Sequence, residues 1–144
     1  MASELQYQTH LVKACKGVGG FAFKLSNRFL GGIPDLFLQM PNFPSLMVEV
    51  KLWKTLPKPG SNRPIANGLT ALQKQTLMQM HLAGSHCGWL AICQEGTSEY
   101  IYTCQDPNHN PTVEEFRAKS VERKRGKSWP VILPQILAPL YRGS

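Results

Sequence analysis

The sequence predicts an α/β sandwich, helices packed on a central sheet, and three observations predict it. Two stretches carry apolar residues at helical spacing behind a capping residue. Five short runs alternate or are rich in β-branched and aromatic residues, as strands are. The chain has 144 residues, 42% of them apolar and 17% charged, enough for one domain with its own core over 1–144.

The elements follow in order. Ser3 caps a helix over residues 4 to 17, with Glu4 at its positive end and Leu5, Leu11, Val12 and Cys15 as its apolar stripe. Gly17, Gly19 and Gly20 end it. FAFKL (21–25) reads as a strand and SNRFLGG (26–32) as a loop. DLFLQM (35–40) and SLMVEVK (45–51) read as a hairpin about the turn PNFP. Residues 52 to 68 carry three prolines and two glycines and read as loop. Thr70 caps a helix running to about residue 83, closed by Gly84. CGWLAICQ (87–94) and EYIYTC (99–104) are two more strands. Thr112 opens a charged helix, VEEFRAKSVERKRGK, and the apolar tail from Trp129 to Tyr141 holds three prolines that argue against a long regular helix. That tail suits either a cover for the core or a dimer surface.

Composition bounds the partners. Sixteen Lys and Arg against nine Asp and Glu leave +7, which favours polyanions, nucleic acid first among them. No apolar run approaches the roughly 20 residues that cross a bilayer, and Glu4, Gln6, Gln8, His10 and Lys13 interrupt any secretion-signal core near the start. Four cysteines without paired spacing fit a cytosolic protein with reduced thiols, and they do not fit zinc knuckles. GVGG (17–20) lacks the lysine and hydroxyl partner of a nucleotide-phosphate loop.

The stretch GIPDLFLQMPNFPSLMVEVK (32–51) places Asp35, Glu49 and Lys51 among strand residues. Glu49 and Lys51 share a strand face, opposite the core-facing Val48 and Val50, and the hairpin turn returns Asp35 beside them. Either the three lie on a wet face with an ion pair between Glu49 and Lys51, or they converge on a site. Two carboxylates about 4 Å apart repel by roughly 4 kcal/mol at an effective dielectric near 20. A divalent cation reverses that sign, and hard oxygen ligands suit Mg²⁺ or Mn²⁺. Such an ion polarises a phosphodiester and acidifies attacking water, while Lys51 is placed to position that water or meet charge on phosphoryl oxygens.

G-I-P-D-x13-E-V-K resembles the signature of the PD-(D/E)XK nuclease superfamily, and the chain resembles more narrowly its phage-type VRR-NUC (virus-type replication-repair nuclease) family. ELQYQTHLVK (4–13), FKLS (23–26), LTALQKQ (69–75) and GWLAI (88–92) match that family's pattern in order, so the likeness covers residues 3 to 94. The resemblance implies a restriction-endonuclease-like core with a mixed central sheet flanked by helices. It implies Asp35, Glu49 and the Val50 carbonyl as metal ligands and Lys51 as the catalytic lysine. Glu4 joins the metal directly or through water, and its plainer reading is compensation of the helix dipole. Gln73 and Gln8 orient the site or the DNA backbone; Gln73 is preferred to Gln75 because it keeps the family's distance to Gly84.

The implied activity is Mg²⁺-dependent (or Mn²⁺-dependent) DNA endonuclease, selective for branched DNA such as a Holliday junction, in repair or recombination. A homodimer is implied, in a bacterial host's cytoplasm if the chain is phage-encoded. Non-specific or flap-cutting DNase and a non-catalytic nucleic-acid-binding protein are the alternatives. Candidate DNA contacts are Lys24 and Arg28 near the Gly-x-Pro-Asp loop, and Lys54, Lys58 and Arg63 in a loop that departs from the short family members. Arg123, Lys124 and Arg125 lie in the basic run at 113–127. Each phosphate so neutralised releases counterions.

Overall fold

The computed structural model describes residues 2–25, 31–61 and 63–141. Its elements are helix α1 (Glu4–Gly17), strands β1 (Phe21–Lys24), β2 (Leu36–Gln39) and β3 (Leu46–Trp53), helix α2 (Ala71–Leu82), strands β4 (His86–Glu95) and β5 (Ser98–Cys104), helix α3 (Val113–Lys119), strand β6 (Val121–Lys124) and helix α4 (Trp129–Leu137). A 3₁₀ turn, Ala138–Leu140, follows α4. The six strands form one sheet in chain order, β1 to β6. β3 and β4 run parallel, joined across α2, and every other pair is antiparallel. The sheet is therefore mixed, as expected.

Both faces of the sheet are covered. Val48, Val50, Leu90, Ile92 and Ile101 face α1 and α4, which bury Tyr7, Leu11, Trp129 and Leu133 against them. Trp53, Trp89, Ala91 and Cys93 face the other way, onto Leu77 of α2 and Phe116 of α3. A parallel pair buried on both faces explains why β4 reads as a nearly continuous apolar run. All four cysteines are free thiols, three of them buried. Burial pushes Cys93 up to about 11, as desolvation does to a thiol. No helix among the described residues is long and apolar enough to cross a membrane.

One expectation is corrected. The helix opened by Thr112 does not continue to residue 127: Ser120 is extended, and Val121–Lys124 adds a sixth strand to β5 instead. β5 would otherwise offer a row of unpaired backbone groups, which pairing satisfies at the cost of local helix propensity. The proline-bearing tail forms a short helix, in keeping with prolines that argue against a long regular one. Pro130 sits in its first turn, where the missing N–H is not needed, and only Pro134 interrupts its ladder. Trp129, Ile132, Leu133, Ile136 and Leu137 repeat at helical spacing and are all buried, so the tail covers the core.

Candidate active site

β2 is shorter than β3, and the site lies where it stops. The register pairs Leu36 with Val48, which puts Asp35 level with Glu49. Beyond that row β3 continues alone on its β2 side, so the N–H groups of Val50 and Leu52 need other acceptors. Two carboxylates supply them. Asp35 Oδ2 accepts from Val50 N at 2.9 Å, and Glu4 Oε2 accepts from Leu52 N at 3.3 Å. Glu4 arrives there because Ser3 and Gln6 form a capping box that fixes the first turn of α1 over the sheet.

Glu49 does not lie on a wet face. It is 2% exposed, because α2 and the Trp53–Trp89 cluster cover that side of β3. Lys51 Nζ stands 3.6 Å from Glu49 Oε2, so the ion pair exists, but it does not decide the electrostatics. Burial comes first, the neighbouring Asp35 carboxyl second, and together they push Glu49 up to about 8 against the smaller opposing pull of Lys51. Glu49 Oε1 is buried with no donor among the described residues. Asp35 neighbours the Glu49 carboxyl, and two carboxyls bond each other only when one holds a proton.

Gln73 completes the constellation. Thr70 Oγ1 accepts from Gln73 N at 3.1 Å, and Gln73 Oε1 accepts from Thr70 N at 2.9 Å. This capping box leaves the amide nitrogen free to donate to Glu49 Oε2 at 3.3 Å. Gln75 is exposed on the same helix. Asn67, which sequence reasoning missed, is 2% exposed and anchors the return of the loop: it receives Trp53 Nε1 on its carbonyl and donates from its side chain to Pro107 O and His109 O. Its signal was the Asn-Gly pair at 67–68, a turn dipeptide.

Among the described residues no three His, Cys, Asp or Glu side chains form a metal cluster by themselves. Asp35 and Glu49 form a pair, and Glu4 stands one step along the strand on Leu52, where its charge also acts on Glu49. The pair nonetheless fits a divalent cation: an orphaned buried carboxylate oxygen beside a second carboxylate is a set of hard oxygen donors whose mutual repulsion Lys51 only partly offsets.

The basic residues divide. Lys54, Lys58 and Arg63 are exposed on residues 54–70. That segment is not a free loop, since Gly60 N donates to Glu114 and Ile65 N to Pro111 O. β3 also runs two residues further into it than expected, through Trp53. Trp53, Cys93, Tyr100 and Glu122 form one row of the sheet, so exposed Lys124 and Arg125 emerge at the same end as Lys54. Arg123 is engaged inside: its guanidinium pairs with Glu99 and lies 4.7 Å over the Trp129 ring. Lys24 is tied to α1 through Thr9 Oγ1 at 2.6 Å, and Gln8 is half-buried on that helix. Arg28 lies outside the described residues.

With this geometry in place, the fold has a solved counterpart. The structure of Hjc, a Holliday junction resolvase from the archaeal hyperthermophile Archaeoglobus fulgidus, superposes with a TM-score of 0.56. The likeness is one of fold. Identity is 12%, over 90% of this chain and 98% of that one. No family model and no curated protein sequence matches the chain. The mixed sheet with flanking helices expected of a restriction-endonuclease-like core is thus present.

Proposed function

We propose that the chain is a divalent-cation-dependent DNA endonuclease of the PD-(D/E)XK class, of the VRR-NUC type its motifs resemble, and selective for branched DNA. One observation carries this reading: a buried carboxylate, Glu49, with an orphaned oxygen, a half-buried second carboxylate, Asp35, beside it and a lysine at 3.6 Å. A structural role alone would not select that arrangement, because burying a carboxylate against a second one costs stability that Lys51 only partly offsets.

Asp35, Glu49 and the Val50 carbonyl would hold Mg²⁺ or Mn²⁺, which supplies polarisation of the phosphodiester and a more acidic attacking water. Glu4 acts at one remove, through water. Gln73 fixes which oxygen of Glu49 points away from α2. Lys51, anchored by Glu49, presents its ammonium to a phosphoryl oxygen or to the water. Exposed Lys54, Lys124 and Arg125 at the same end of the sheet take the backbone of the DNA.

Branched DNA is favoured on two counts. The chain's basic residues are spread over loops and strand ends, which suits recognition of shape through phosphates rather than of sequence in a groove. The fold is that of a solved Holliday junction resolvase. One site per chain then asks for a two-fold homodimer to cut two related strands of a junction. The test is cleavage of a labelled four-way junction beside linear duplex and single strand, in Mg²⁺ and in EDTA. Paired symmetric cuts near the branch, in Mg²⁺ only, are expected. Equal cutting of all three substrates would keep the chemistry and refute the selectivity. Tight binding without cutting in Mg²⁺ or Mn²⁺ would make this a non-catalytic DNA-binding protein.

A further inference from the structure

The face of the sheet that carries Asp35 and Glu49 does not end with them. Phe37 pairs with Met47 and with Phe23, and Phe21 lies two residues along β1, so all three rings share that face. The nearest begins one residue pair, about 7 Å, from Asp35. Phe23 and Phe37 are stacked, with centroids 5.0 Å apart and planes at 17°. Phe21 closes the group edge-on, at 5.6 Å from Phe23 and 6.0 Å from Phe37.

No described helix covers them. On this face α2 packs over β4, and among the described residues it approaches the β1–β2 connection through Leu72 and Thr76, beside Gly31 and Gly32. Phe21 is 62% exposed, Phe23 40% and Leu72 49%. A cross-strand aromatic pair explains Phe23 and Phe37 as sheet stabilisers. It does not explain a third, largely exposed ring, Phe21, extending the same surface away from the carboxylates that Phe37 adjoins.

Resting on the DNA-binding reading above, we propose that Phe21, Phe23 and Phe37 form a stacking platform for an unpaired nucleobase next to the scissile phosphate. Aromatic faces accept any base, and only a nucleotide released from a duplex, at a branch or in single strand, can offer one. Charge favours this occupant: a chain of net +7 attracts a polyanion, and the platform adjoins the carboxylates where its backbone would be cut. The platform would therefore supply a preference for unpaired DNA that phosphate contacts by themselves cannot give.

The experiment is equilibrium binding in EDTA, at one salt concentration, of a labelled single-stranded oligothymidylate and of a fully paired duplex. The proteins are the full chain, Phe21→Leu, the Phe21→Leu/Phe23→Leu pair and Phe23→Tyr. Leucine keeps the apolar volume and removes the ring, and Phe21 is too exposed for its loss to unfold the chain. The double variant is expected to lose about tenfold in single-strand affinity, with duplex affinity held within about twofold and Phe23→Tyr unaffected. Equal losses on both DNAs, or none on either, would overturn the proposal. So would sedimentation showing a wild-type dimer that the double variant splits, since the face would then belong to a second copy. The nuclease reading fails separately, by absence of cleavage in Mg²⁺ while the single-strand preference of the wild type persists.

Discussion

Glu49 is held in a protonation state that water would not give it. Its carboxyl rises from the ordinary 4.5 to about 8, through burial first and Asp35 second. The native chain then binds a proton that the unfolded chain has released, so this group's contribution to stability is fully present below about 4.5 and is lost as pH climbs through about 8. Thermal unfolding in EDTA across that window should show this slope in the wild type and a flatter one in Glu49→Gln. Added Mg²⁺ at the alkaline end should raise the wild-type midpoint and leave the variant's nearly unmoved. Gln73 belongs to the same scale. Its amide nitrogen reaches the site through the bond to Glu49 Oε2. Gln73→Ala should therefore lose about 10–100-fold in cleavage or metal affinity, as removal of a ligand's supporting hydrogen bond does. Gln75→Ala, exposed on the same helix, should match the wild type in the same assay.

At the scale of elements, the site depends on how α2 and the β1–β2 connection meet. Gly32 has φ +84, and a Cβ there would lie 2.8 Å from Leu72 Cγ and from Thr76 Oγ1. Gly32→Ala should cost about 1–3 kcal/mol in urea unfolding, from the left-handed backbone and the clash together. The helix it would displace carries Gln73. Residues and elements also differ in how legible they were. Asp35, Glu49 and Lys51 stand in a local pattern, so one hairpin register was enough to bring them together. The burial of Glu49 was not readable, because strand alternation looks the same whether the second face meets water or α2. β6 was hidden for another reason: VERK has the composition of a solvated helix, and only the unpaired edge of β5 makes it a strand. In α4 the helical stripe from Trp129 to Leu137 was present in the sequence, and the prolines obscured it. The open aromatic face on β1 and β2 depends on α2 landing over β4, which no local pattern specifies.

Across the whole molecule, a +7 chain with exposed cations, Lys54, Lys124 and Arg125 among them at one end of the sheet, should bind DNA with a steep dependence on salt. Replacing Lys54, Lys58 or Arg63 by Gln should lower the slope of log affinity against log salt by about 0.9 for each phosphate no longer neutralised, with cleavage positions unchanged. Arg123→Gln should behave otherwise. Its guanidinium serves Glu99 and Trp129, so the effect should show in the unfolding curve rather than in the salt slope. The most direct measurement is the rate of cleavage of a four-way junction by the wild type and by Glu49→Gln as Mg²⁺ is titrated up from EDTA. The wild type should rise from no cutting to a saturating rate, and Glu49→Gln should leave the junction uncut at every concentration while still binding it. Cutting by the wild type in EDTA, or a Glu49→Gln titration that overlays the wild type, would contradict a metal-assisted site at Asp35 and Glu49.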